Sequence, residues 1–208
     1  LIMDLLDFTK IRLERKEDKI ERISLKERAR LALSTIKPLA IQRNIGVSFT
    51  GEEVFFDADP SDLDILFNNL LSNAVKYNHA QGEIWLDVQP VGQDRLRISV
   101  RDSGHGIPES RRGEVFVPFN RLSAEGGAIE GTGIGLTIAK QLVELMDGRI
   151  GFDSVVDQGS TFWLELPLAD EQAEAAELGT ERCHELDADL VSAPEKRLKT
   201  LLYIEDNP

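Results

Sequence analysis

A chain of 208 residues, 41% apolar and 29% charged, holds enough material for one or two domains with a normal core. Its net charge of −13 argues against a nucleic-acid surface, which needs a basic stripe, but not against ATP, whose phosphates a local Lys, Arg and metal ion can handle. The single cysteine, Cys183, excludes an internal disulfide and a multi-cysteine zinc site and fits a reducing compartment. No apolar run reaches the ~20 residues that span a bilayer, and no signal peptide is visible.

Residues 1 to about 22 read as a helix, with Leu1, Leu5 and Phe8 on one apolar seam and Ile2, Leu6 and Leu13 on its neighbour. Ser24-Leu25-Lys26-Glu27 has the capping-box pattern, so a second helix is expected from there to about Arg43, with Pro38 leaving open a kink or a break. Ile45, Val47 and Phe49 alternate as in a strand, and Val54-Phe55-Phe56 follows Gly51 as a further strand-like run. Asp59-Pro60-Ser61-Asp62 is a helix start, with Asp59 as cap and Pro60 in the first turn. The helix it opens should end near Asn78.

Ile84 to Val88, then Leu96, Ile98 and Val100, and later Phe162, Leu164 and Leu166 read as strands, as do Ile150 and Phe152. Ile134 to Met146 reads as a helix. The expected fold is α+β: a two-layer sandwich in which helices cover one face of a mixed, mostly antiparallel sheet. Residues 170–197 carry nine acids against three bases, a net of −6, and read as an acidic linker over 169–197. Leu201-Leu202-Tyr203-Ile204 then reads as a buried strand ending in Glu205-Asp206. Beginning at Leu1 and stopping at Pro208, the chain reads as an excised piece of a longer protein.

Four constellations carry chemistry. In Asn69-Leu70-Leu71-Ser72-Asn73-Ala74-Val75-Lys76-Tyr77, helical spacing puts Asn69, Asn73, Lys76 and Tyr77 along one face, opposite Leu63, Leu66, Leu70 and Ala74. Asn disfavours helix interiors, so two stacked carboxamides beside a Lys suit a hydrated cation and phosphates. Asp102 shares the inward parity of Leu96, Ile98 and Val100; it either caps the next turn or accepts a ligand N–H such as the amino group of adenine. Gly104 and Gly106 in Ser103-Gly104-His105-Gly106-Ile107-Pro108 permit close approach by a flat ring, with Ile107 as an apolar contact.

Gly131-Thr132-Gly133-Ile134-Gly135-Leu136 opens a helix, where N–H groups and the helix dipole can hold phosphate oxygens. Its spacing fits neither the dinucleotide fingerprint nor the P-loop. Between the glycine clusters, Phe116-Val117-Pro118-Phe119-Asn120-Arg121 leads into a polar stretch, Leu122 to Glu130, that reads as a lid or an ordinary surface loop. Arg121 at its base is either solvated or within reach of a terminal phosphate.

Together these residues resemble the catalytic and ATP-binding domain of sensor histidine kinases, over roughly residues 45–168. The Asn helix is similar to that family's N box, Asp102 to Pro108 to its first glycine box, Phe116 to Arg121 to its F box, Gly131 to Leu136 to its second glycine box, and Gly159-Ser160-Thr161-Phe162 to its closing strand. The resemblance implies a Bergerat-type ATP-binding fold and an ATP-dependent protein-histidine kinase. It makes Asn73 the main Mg²⁺ ligand with Asn69 beside it, Lys76 a phosphate contact, and Tyr77 a flank of the adenine. Asp102 becomes the acceptor of the adenine amino group, joined through water by Thr161. Arg121 approaches the γ-phosphate, and the backbones of Gly131, Thr132, Gly133, Gly135 and Leu136 surround the phosphates.

The flanks carry the resemblance further. Residues 1–22 are similar to the end of a dimerisation and phosphoacceptor helix, and 198–208 to the start of a receiver domain whose acidic pair would be Glu205 and Asp206. With 23–168 as the catalytic domain, the implied parent is a cytoplasmic or inner-membrane-anchored homodimeric hybrid kinase in a phosphorelay. Its implied partners are a phosphoacceptor His and a receiver, in cis or in trans, and no nucleic acid. The three histidines, His79, His105 and His184, lie outside the family's acceptor motif and read as surface residues, so the acceptor is expected upstream. Two other readings compete: a degenerate module in which nucleotide only sets conformation, and a gyrase- or mismatch-repair-type ATPase clamp, which the acidic charge and the flanks disfavour.

Overall fold

A computed structural model describes residues 19–92, 94–120 and 132–168. All of them lie in the first of the two units into which the chain divides, Leu1–Asp170. The expected helix over 1–18, the polar stretch 121–131, the acidic linker and the receiver-like strand lie outside the described residues.

The described chain begins with a correction. The helix expected to reach residue 22 gives way to a strand, β1 (Glu21–Ser24), antiparallel to β3 (Phe55–Ala58), with Ile23 opposite Phe56. Both side chains are buried. A β-branched residue that meets an aromatic across a ribbon stabilises a strand that local helical spacing does not reveal. Ser24 then ends the strand and caps α1 (Leu25–Gln42): its Oγ accepts from the N–H of Glu27 at 3.1 Å, and its hydroxyl bonds the Glu53 carboxylate. Leu25, Ala29, Ala32, Ile36 and Ala40 form the buried stripe of α1, and Pro38 does not end it.

β2 (Gly46–Gly51) follows, and then α2 (Pro60–Lys76). Asp59 caps α2 through the N–H of Ser61 at 2.8 Å, with Pro60 in the first turn. Leu63, Leu66, Phe67, Leu70, Leu71, Ala74 and Val75 are buried along it. A fully buried Phe67 implies that truncation to Ala costs about 3–5 kcal/mol. At the other end the Arg43 guanidinium donates to the carbonyls of Val75 and Lys76, placing a cation on the negative helix terminus.

The remaining elements are β4 (Glu83–Val91), β5 (Arg95–Asp102), α3 (Gly135–Leu145), β6 (Arg149–Val155) and β7 (Gly159–Pro167). A five-stranded sheet runs β2-β4-β5-β7-β6, with β2 parallel to β4 and the other pairs antiparallel. This is the expected two-layer α+β sandwich. Ile84, Leu86 and Val88, Leu96, Ile98 and Val100, and Phe162, Leu164 and Leu166 all bury on one face, in one core with the helices. The opposite face carries Arg101 over the Trp85 ring at 4.8 Å and Arg97 over Trp163 at 4.7 Å. Period-2 alternation thus sets which strand residues reach the core, and Asp102 sits at the inward end of β5.

Candidate nucleotide-binding site

Asp102 is only 5% exposed, a carboxylate at the rim of an apolar core. Its Oδ1 accepts from the backbone N–H of Gly104 at 2.8 Å and of Ser160 at 3.3 Å. Burial pushes its carboxyl above the ordinary value, while these two N–H groups and the imidazoles of His79 and His105 pull the other way. Both of these bonds use Oδ1.

The glycine turn after Asp102 is held by neighbours that demand its glycines. A Cβ on Gly104 would meet the carbonyl oxygen of Tyr77 at 2.2 Å; one on Gly106, whose φ is +67°, would meet that of Val155 at 2.1 Å. The turn is therefore packed between the end of α2 and the end of β6. His105 N donates to Tyr77 O at 3.1 Å, and Ile107 N to Ser154 Oγ at 2.7 Å. Ile107 itself is buried.

On α2, Asn69, Asn73, Lys76 and the capping residue Tyr77 are all half-buried, as the helical spacing predicts. The second glycine cluster packs against this face. A Cβ on Gly135 would meet Asn69 Oδ1 at 2.6 Å, so the start of α3 packs directly against the Asn69 side chain. Gly133 has φ +73° and its carbonyl accepts from Phe119 N at 3.0 Å. Thr132 and Leu136 are half-buried at the same corner. Among the described residues no side chain caps the start of α3. The fold thus brings Asn69 together with Gly135, and Tyr77 with Asp102 and Gly104. Arg121 and Gly131 lie outside the described residues.

One expected residue is misplaced. Thr161 pairs with Arg101 in the β5–β7 register, whereas Ser160 pairs with Asp102. Thr161 therefore faces the far side of the sheet, and Ser160 occupies the inward position beside the carboxylate. Ser160 Oγ lies 3.0 Å from Ser154 Oγ, and both serines are buried.

Sequence reasoning also missed Asn78, which is 2% exposed. Its Nδ2 donates to Glu83 O at 3.0 Å, and its Oδ1 accepts from His79 N at 2.9 Å and Ser103 Oγ at 3.2 Å. It ties the end of α2 to β4 and to the turn after Asp102. A Cβ on Gly82 would meet Asn78 Oδ1 at 2.2 Å, so the neighbouring glycine was the available signal.

The family model "Histidine kinase-, DNA gyrase B-, and HSP90-like ATPase" matches residues 58–170, the span that holds this site. The chain belongs to this family, and what it carries is a histidine-kinase-type ATPase domain. It is 38% identical over 172 residues to the circadian input-output histidine kinase CikA of Synechococcus elongatus, covering 80% of this chain. It is 47% identical over 112 residues to the sensor histidine kinase AruS of Pseudomonas aeruginosa, covering 50% of this chain. The chain spans 23% and 11% of the lengths of these two relatives. Among solved structures it resembles full-length ShkA in complex with AMPPNP, with 26% identity and a TM-score of 0.71 over 81% of this chain and 35% of that one. No described helix is long and apolar enough to cross a membrane.

Proposed function

We propose that this chain binds Mg·ATP and donates the γ-phosphoryl group to a histidine outside these 208 residues, as the kinase module of a two-component sensor kinase. The observation that carries the reading is the buried Asp102, a carboxylate held at the inward end of β5 by the backbone N–H groups of Gly104 and Ser160 on its Oδ1. Such an acceptor suits the amino group of adenine. Tyr77 flanks the base, Gly104, Gly106 and Ile107 shape its slot, and Ser160 replaces Thr161 as the hydroxyl beside Asp102.

The phosphates run toward the Asn face of α2 and the start of α3. Asn69 and Asn73 offer carboxamide oxygens, the hard donors that would hold Mg²⁺. The close approach of Gly135 at the start of α3 to Asn69 Oδ1 places this carboxamide beside a helix N-terminus, which fits this use. An ion held there would supply positive charge against the phosphates. Lys76 adds a positive charge, the N–H groups of Thr132, Gly133, Gly135 and Leu136 with that of Gly131 cradle oxygens, and Arg121 meets the γ-phosphate. In the transfer, the bond from the γ-phosphorus to the bridging oxygen breaks as one to an imidazole nitrogen forms, and ADP leaves. The chain contributes positioning and charge stabilisation.

In the same reading residues 1–22 end a dimerisation and phosphoacceptor helix, 23–168 form the ATP-binding domain, 169–197 link it onward, and 198–208 begin a receiver. The parent is then a homodimeric hybrid kinase with its catalytic part in the cytoplasm. A chain extended upstream to an acceptor histidine, given labelled ATP and Mg²⁺, should acquire acid-labile label on that histidine. Tight nucleotide binding without label would overturn the kinase reading and leave a conformational switch. In parallel, Asn73→Asp should weaken Mg·ATP binding by about tenfold or more, as one oxygen donor of the shell is altered beside the phosphates; unchanged binding would remove the metal assignment.

A further inference from the structure

We propose that His79, His105 and Asp157 form a binding site for a divalent ion of the zinc class, separate from the magnesium and phosphate groups. One ligand atom from each of the three residues lies within 4.8 Å of the others. The imidazole centroids of His79 and His105 are 4.1 Å apart with the planes at 73°. Three segments distant in sequence meet there: the residues just after α2, the centre of the glycine turn, and the turn between β6 and β7.

Backbone bonds hold the three positions. His79 N donates to Asn78 Oδ1 at 2.9 Å, His105 N to Tyr77 O at 3.1 Å, and Asp157 N to His105 O at 2.8 Å. Each ligand is thus anchored through its own backbone N–H, and the Asp157 bond to His105 O joins two of the three directly. Asp157 has φ +59°, a turn conformation that Asp tolerates better than most residues, which explains its residue type but not its convergence with two imidazoles. An edge-to-face histidine pair is also a packing contact; the carboxylate closing the third corner is what makes the group a ligand set.

Two imidazole nitrogens and one carboxylate oxygen select Zn²⁺, Co²⁺, Ni²⁺ or Cu²⁺ over Mg²⁺, which prefers an all-oxygen shell. Tetrahedral zinc with bonds of about 2.0–2.2 Å sets its ligand atoms roughly 3.4 Å apart. His105 and Asp157 are exposed, so small side-chain rotations close the remaining distance. Water completes the shell. The loaded ion cross-links three turns that border Asp102, and because it binds the folded arrangement it raises the unfolding temperature.

Cys183 and His184 lie outside the described residues and would take up the same ions, so the test starts from a chain bearing Cys183→Ser and His184→Ala. Without nucleotide, this chain should bind one Co²⁺ with visible d–d absorption of low-symmetry nitrogen–oxygen coordination, displaced by Zn²⁺, and should melt at a higher temperature in Zn²⁺. His105→Ala and His79→Gln should each weaken binding by about tenfold or more, and Asp157→Asn, which keeps the turn, by less. Circular dichroism of each variant guards against unfolding. No absorption in the parent, or equal binding by parent and both histidine variants, would overturn the site. Because no nucleotide is present, failure here is independent of the ATP reading.

Discussion

The two ends of the proposed nucleotide site, a base end around Asp102 and a phosphate end on α2, are built differently. At the base end, polar side chains are buried and bonded to backbone. Asp102 accepts two N–H groups, Ser154 accepts from Ile107, and Asn78 joins α2, β4 and the turn after Asp102. At the phosphate end, Asn69, Asn73 and Lys76 stand half-buried on one helix face, opposite an α3 terminus that no described side chain caps. The base end is complete before any ligand arrives, because a buried polar group must find its partner within the protein. The phosphate end is a set of donors and charges whose partners are the ligand's own. On the proposed reading, shape selectivity belongs to the first region, and charge and chemistry to the second.

The sharpest way to break this contrast is to disturb the base end alone. Gly104→Ala puts a methyl 2.2 Å from the Tyr77 carbonyl and 2.8 Å from Asp102 Oδ1, with backbone on one side and the base acceptor on the other. The cost should be about 1–3 kcal/mol of stability, read by urea unfolding. Nucleotide affinity should fall by about a hundredfold in calorimetry, because the turn and Asp102 shift together. Parent-like affinity would mean that the base end is not the rigid element.

Asp102→Asn is subtler and should weaken nucleotide binding by about ten- to a hundredfold. The Asn Oδ1 can keep both backbone bonds, but its Nδ2 would then present a donor to the adenine amino group. The same variant tests the titration. Burial raises the Asp102 carboxyl above its ordinary 3.8, so the folded protein holds this proton more tightly than the unfolded chain. The group's contribution to stability falls as pH rises from about the ordinary value through the raised one. Asp102→Asn should flatten unfolding free energy against pH over that window, from about pH 4 upward. An unchanged pH profile would show that Asp102 is not the group responsible.

What was legible in the sequence follows the same division. The Asn face of α2, its Asp59 cap and the inward parity of Asp102 are local patterns, because side-chain direction in a helix or strand follows from spacing alone. The ribbon of β1 and β3 was not legible. Its stability comes from Ile23 meeting Phe56 across 33 positions of chain, and four residues after a charged run give no periodicity of their own. Asn78 was missed because it looks like a helix end, and only the fold brings Glu83 and Ser103 to it. The error at Thr161 was avoidable. Phe162, Leu164 and Leu166 point inward, and the alternation that placed Asp102 also places Ser160 inward and Thr161 outward.

That correction yields the smallest and most discriminating effect. Ser160 donates its N–H to Asp102 Oδ1 and its hydroxyl pairs with Ser154 Oγ, which also receives the Ile107 N–H. Ser160→Ala keeps the backbone donor but removes one hydroxyl from a buried pair. A single neutral hydrogen bond of about 0.5–1.5 kcal/mol corresponds to roughly a two- to tenfold loss of nucleotide affinity. Thr161→Val removes a hydroxyl of the same kind from the opposite face, where its neighbours in register are Arg101 and Asp153. Nucleotide affinity should then stay within about twofold, since no desolvated partner near Asp102 is lost. Measured side by side, the two variants differ by one position in sequence and by the full thickness of the sheet in space. A larger loss for Thr161→Val than for Ser160→Ala would mean that the base is read from the open face, and the buried base end would lose its role.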